Sequence, residues 1–200
     1  LIFPHFPEET FSSEQVCSVL RRIPPEKLIV MDRFIPSLGT DCGMSYQYIS
    51  LDIQSALADM VPVFRRFNRL RAMPVYTSLY GREIDDALRL FCRRNNIPFE
   101  QADIDSLELY RGDVLFVFGC SPGRAFVSLA EKMGASSLKV GSDIGIICYD
   151  DFQINEILLG GLTTMAADYQ QMGREAASMI LSGIMKKVHC ACRLVRRCSF

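Results

Sequence analysis

The sequence predicts an α/β fold whose strands lie in parallel sheets. Three observations carry this. Short apolar runs alternate with stretches of helical period, the order that crossover connections impose. One run, DIGIICY over 143–149, is apolar at nearly every position after its first, as a strand covered on both faces requires. Three runs finish on an aspartate, at Asp32, Asp52 and Asp150, and the carboxyl ends of strands are where open α/β sheets place their ligands.

The elements follow in order. LIFPHF reads as a strand end entering a loop. Residues 12–23 are helical: Ser12 or Ser13 can cap the first turn, and Val16, Val19, Leu20 and Ile23 share a face. PPEK breaks the chain, and LIVMD (28–32) is a short buried strand. After a loop, QYISLD (47–52) reads as another strand, and 53–70 as a helix with Ala56, Met60, Val63, Phe64 and Phe67 as its stripe. Strands at 72–79 and 113–120 flank a helix at 82–96 with Ile84, Leu88, Phe91 and Cys92 inward. A helix at 123–134 ends at Gly134, read as its C′ residue. The 143–150 strand, LTT at 162–164, a helix at 168–183 and a last strand at 192–200 complete the chain.

Composition bounds the function. The 200 residues are about half apolar, enough for a sizeable core. A net charge of −1 argues against this segment alone gripping DNA. No long apolar run predicts a membrane helix. The start lacks the features of a signal peptide and an initiator Met, which fits a cut or processed product. Eight scattered cysteines suggest buried thiols in a reducing compartment, hence a cytoplasmic protein. HCAC at 189–192 is too tightly spaced for the usual zinc pairing, and the only other histidine is His5, so neither metal nor cofactor is expected.

A specific pattern runs through residues 143–200: Cys148-Tyr149-Asp150-Asp151 ends a strand, Leu162-Thr163-Thr164 follows, then Met172-Gly173-Arg174-Glu175-Ala176 in a helix and Arg197-Cys198-Ser199 at the end. In this order and spacing it resembles the close of the effector-binding domain of LacI/GalR-type transcription regulators. Upstream, LIVMDRFIP and YISLDIQSA resemble further segments of that family, with Ala56 where a glycine is usual. The chain is also similar to GntR-type regulators in which a winged helix-turn-helix precedes this same domain. The resemblance implies a type I periplasmic-binding-protein-like fold: two doubly wound lobes, three crossover strands and a small-molecule cleft between them. It implies a first lobe of 1–71 plus 163–186, N-terminally truncated by two strands and two helices, and a second lobe of 72–162 plus 187–200. Crossovers are expected near 71–73, 161–164 and 186–190.

Carried over by position, the ligand carboxylate falls on Asp150. From the residues alone, that aspartate is either such a contact or a turn residue capping backbone amides. Because side chains alternate along a strand, Asp151 is expected to face the hinge or solvent instead. Asp32, with Arg33 after it, matches a polar contact position of the first lobe. Tyr48 matches an aromatic that packs on the ligand, or else fills core. The family's arginine on the second-lobe helix falls at Ile84; Arg82 is a substitute for it or a surface charge. The family's Asn-Asp after the next strand is replaced by Gly119-Cys120, which leaves open a less polar ligand, other contacts or lost binding.

No phosphate loop, nucleophile elbow or placeable triad is present, so no enzyme is expected. The resemblance implies an effector-sensing and dimerising domain of a bacterial transcription regulator. Its partners would be a small-molecule effector, a sugar, and a second copy of the chain, with DNA reached only through a domain outside this chain and no membrane contact. The alternatives are a solute-binding protein of the same fold and a small flavodoxin-like enzyme.

Overall fold

A computed structural model of the chain describes residues 1–2, 13–39, 41–73, 79–118 and 124–200. Its first elements are α1 (Ser13–Leu20), β1 (Ile29–Arg33), β2 (Gly43–Gln47), α2 (Ile49–Ala58) and the short α3 (Val61–Phe64). Next come β3 (Arg69–Met73), α4 (Leu79–Arg94), β4 (Phe99–Gln101), β5 (Asp113–Val117), α5 (Arg124–Ala135) and β6 (Gly145–Tyr149). The last are β7 (Thr163–Ala166), α6 (Tyr169–Ser182), β8 (Lys187–His189) and β9 (Arg193–Val195).

The strands form two sheets. One has the order β1-β2-β8, all parallel, and Ile2 bridges to Val30 at its edge. The other has the order β4-β3-β5-β6-β7-β9, parallel except for β9. This bears out the α/β class with mostly parallel sheets.

Period-two alternation builds the cores. In β5, Val114 and Phe116 face α2 and α4, joining Ile53, Leu57, Ile84, Leu88 and Phe91, while Leu115 and Val117 face Leu129 and Met133 of α5. β6 repeats this, with Ile147 and Tyr149 on the first side and Ile146 and Cys148 on the second. Every residue of both strands is buried, as the apolar run at 143–149 predicts. The three-stranded sheet is covered on one face by Met172, Ala176 and Met179 of α6, and on the other by Leu20 of α1. α6 is bounded as its sequence dictates: Asp168 accepts the Gln171 N–H at 2.8 Å, and Gly183 ends the helix at φ 69°.

Several expectations are corrected. QYISLD is not a strand. The strand stops at Gln47 and the helix starts at Ile49, because Ile49, Ile53 and Leu57 repeat every four residues and can be buried only on a helix. Asp52 therefore ends no strand; it lies in the first turn of α2 and accepts the Tyr48 N–H at 2.8 Å. The 53–70 helix is broken into α2 and α3 by the turn at Asp59–Met60. Gly134 lies inside α5 rather than beyond it. β4 and β8, three residues each, were not expected, and the last strand shrinks to β9. The expected features at 3–12, 74–78 and 119–123 lie outside the described residues.

The chain passes between the two sheets more than once. β2 belongs to the first sheet, yet α2 packs into the core of the second. β7 pairs in the second sheet, while α6 packs on the first. β8 returns to the first sheet and β9 to the second. The chain thus crosses at 47–49, 166–169 and 189–193. Residues 163–166 pair in the six-stranded sheet and 187–189 in the three-stranded one.

A charged cluster fixes the start of β3 and β5. Asp113, 1% exposed, accepts Arg69 Nε at 2.7 Å and Arg71 Nη1 at 3.0 Å; Arg71 also donates to the Glu108 carbonyl. Removing one partner of a buried pair strands the other charge. Asp113→Ala is expected to cost about 3 kcal/mol of stability, read from urea unfolding, and Asp113→Asn clearly less.

Candidate ligand cleft

Two cavities open at the carboxyl ends of the strands, each walled by strand ends of one sheet and by a helix that packs on the other. The first, about 330 Å³, is lined by Asp32 and Arg33 of β1, Phe34, Gln47 and Tyr48 at the end of β2, and Glu83, Asp86, Ala87 and Leu90 of α4. Arg33 donates to Glu83 Oε1 at 2.6 Å and so ties the first sheet to the helix on the second. Burial pushes the Glu83 carboxyl above its ordinary range, against the pull of the Arg33 charge. Tyr48 is half exposed, with its ring edge-on to Phe34 at 6.2 Å.

The second cavity, about 460 Å³, is lined by Asp150, Asp151 and Phe152 after β6, Ala166 at the end of β7 and Ala167 after it, Asp168, Tyr169 and Gln170 at the start of α6, and Arg193 of β9. Asp150 takes a left-handed backbone, φ 72°; its N–H donates to the Met165 carbonyl at 2.8 Å and its carbonyl accepts from Asn155 Nδ2. Asp32, at the matching strand end in the other sheet, has φ 75°. Such a conformation costs a non-glycine residue roughly 1–3 kcal/mol and persists where the surroundings impose it.

A buried hydrogen-bond network joins the two strand ends. Gln47 Nε2 donates to Asp32 Oδ1 at 2.7 Å. Gln47 Oε1 accepts from the Tyr149 hydroxyl at 2.8 Å and from Cys192 Sγ at 3.0 Å. Asp32, Gln47 and Tyr149 are all at most 3% exposed. Nearby, His189 Nε2 lies 2.7 Å from Asp52 Oδ1, so the end of β8 meets the start of α2 across the lobes.

Asp32, Arg33 and Tyr48, singled out from the sequence, thus share one cavity, and Asp150 lines the other. Arg82 is exposed on α4 and lines neither; its neighbour Glu83 is the residue turned to the cavity. The alternation argument for Asp151 fails, since the left-handed turn at Asp150 lets both aspartates border the same space. What sets them apart is Arg197, whose Nη1 lies 3.0 Å from Asp151 and which also donates to the Leu162 carbonyl and the Thr164 hydroxyl. Gly119-Cys120 lies outside the described residues. Gln47, Glu83 and Asp86 were not anticipated; the one signal for Gln47 is an amide at the end of an otherwise apolar-facing strand. Among the described residues, no group of three or more His, Cys, Asp or Glu could hold a metal ion, and no helix is long and apolar enough to cross a membrane.

The family model described as a periplasmic binding protein-like domain matches residues 117–200. No curated protein sequence matches the chain. Among solved structures, the Lac repressor bound to ONPG is 13% identical with a TM-score of 0.67, over 98% of this chain and 62% of that one. A LacI-family sugar-binding transcriptional regulator from Enterococcus faecalis is 18% identical with a TM-score of 0.66, over 96% of this chain and 76% of that one. A periplasmic binding protein/LacI transcriptional regulator from Alkaliphilus metalliredigens, complexed with D-xylulofuranose, is 13% identical with a TM-score of 0.61, over 86% and 69%. At these identities the likeness is one of fold. It is the type I periplasmic-binding-protein-like fold of LacI-type effector domains, and it bears out the resemblance carried by the motifs at 143–200.

Two expectations follow for the network. Gln47→Met keeps the volume but removes the amide, leaving the Tyr149 hydroxyl without its 2.8 Å acceptor; a stability loss of about 1–3 kcal/mol is expected by chemical denaturation. Burial pushes the Cys92 and Cys192 thiols up to about 12. At pH 8 both should therefore resist iodoacetamide until the chain unfolds, whereas exposed Cys198 reacts at once; peptide mass spectrometry reads the order.

Proposed function

We propose that this chain is the effector-sensing part of a bacterial transcription regulator, and that its effector is a sugar or similar polyhydroxylated small molecule. The observation that carries this is the pair of cavities at the strand ends, each walled by strand ends of one sheet and a helix packed on the other. A molecule seated there touches both lobes at once. It therefore stabilises whichever arrangement brings the walls together, and the three crossovers are where that change is absorbed.

Carboxylates suit such a ligand because each can accept two hydrogen bonds from neighbouring hydroxyls. Asp32 and Asp150 occupy equivalent strand ends, and Tyr48 offers a flat apolar face. The fold likeness to a sugar-binding regulator, and to a regulator holding D-xylulofuranose, supports the same reading. In this reading the domain catalyses nothing, acts as a homodimer and reaches DNA through a separate domain, so that lobe closure alters the spacing of paired DNA-reading heads. The cysteines among the described residues are all free, which fits a reducing, intracellular compartment and favours a regulator over an exported solute-binding protein.

A thermal-shift screen of neutral and derivatised sugars tests the reading. A ligand at a hundred times its Kd should add about 2.7 kcal/mol. With a binder in hand, Asp150→Ala should cost roughly 2–5 kcal/mol of binding by calorimetry. Asp151→Ala should cost far less, because its partner is Arg197. Equal, small losses from the two substitutions would reject Asp150 as a contact.

A further inference from the structure

The charge inside the β1–β2–α4 cavity is lopsided. Among the described residues, Asp32, Glu83 and Asp86 contribute three carboxylates to the lining and Arg33 the one basic group. That guanidinium donates through Nη2 to Glu83 Oε1 at 2.6 Å, so its charge is offset within the wall. The other cavity is closer to balance: Asp151 is paired with Arg197, and Asp150 and Asp168 stand with Arg193. The half-exposed Tyr48 ring at the first cavity's rim is a surface on which a cation is attracted to the ring face, as Lys187 is at the neighbouring Phe34 ring, 5.7 Å from its centroid.

We propose that the effector carries an amino group on its polyhydroxylated body, an amino sugar rather than a neutral or acidic one, with Asp86 as a contact for the ammonium and Glu83 as the residue that excludes acids by occupying Arg33. The proposal rests on the reading of this cavity as the ligand cleft. Like charges in a partly desolvated cavity repel a carboxylate and draw in a cation, which makes the cleft discriminate by charge before it discriminates by shape.

The test uses the intact chain. Thermal shift and calorimetry are run with D-glucosamine, D-galactosamine and D-mannosamine, each beside its parent hexose and its N-acetyl derivative, with D-glucuronate as the acid. At least one amine should bind tenfold or more tightly than its parent and its N-acetyl form, with an affinity that weakens as salt rises. Asp86→Asn, an exposed position that leaves the fold intact, should remove most of that preference. Glu83→Gln should free Arg33 and raise affinity for glucuronate. Parent hexoses or glucuronate binding as well as the amines would overturn the proposal and leave the cleft reading standing. No melting shift with any compound would overturn both.

Discussion

One side-chain amide holds the two halves of this molecule in register. Gln47 sits at the last position of β2, directly before the chain leaves the first sheet, and both ends of its amide are used. Its nitrogen serves the strand-end aspartate of its own sheet, and its oxygen serves a tyrosine at the strand end of the other. A buried amide is tolerable only when its donors and acceptor are met, and here the partners come from opposite lobes. The geometry of both cavities follows, since Asp32 borders one and Tyr149 directly precedes the aspartate that borders the other.

The crossovers place helices on the opposite lobe from the strands that precede them. α2 leaves β2 to pack into the second core, and α6 leaves β7 to cover the first sheet. Each crossover is therefore short, and Asp52 pins two of them together: its carboxylate takes the Tyr48 N–H on one side and meets His189 on the other. The result is a hinge region rich in directed polar contacts between two apolar cores. Cores move as rigid units, so strain or binding energy applied in the cleft is concentrated on these few residues.

Much of this was legible from residue order. The buried apolar strands at 113–117 and 145–149 and the helix α6 follow from local chemistry and came out as expected. α2 was not legible, because Tyr48-Ile49-Ser50-Leu51-Asp52 alternates over the window where a strand is judged, and only burial of Ile53 and Leu57 decides for a helix. β8 is Lys-Val-His, a sequence with no strand signature; it exists because β2 offers an edge. The site shows the same division. Strand-end aspartates announce themselves, whereas Glu83 pairs with an arginine fifty positions earlier, and nothing in either local stretch marks the contact.

The pairing of β2 with β8 also bears on how the chain acquires its shape. Met44 is registered against Lys187, and every strand of the second sheet except β9 lies between them in the chain. Closing so long a loop is entropically slow unless the intervening chain has already collapsed. The second sheet, whose central strands are joined by nearer connections, is thus the natural place for assembly to start, and the first sheet reaches its full width only afterwards. A ribosome would release β1 and β2 early and leave them waiting with an unpaired edge, a period in which that edge invites association with other chains.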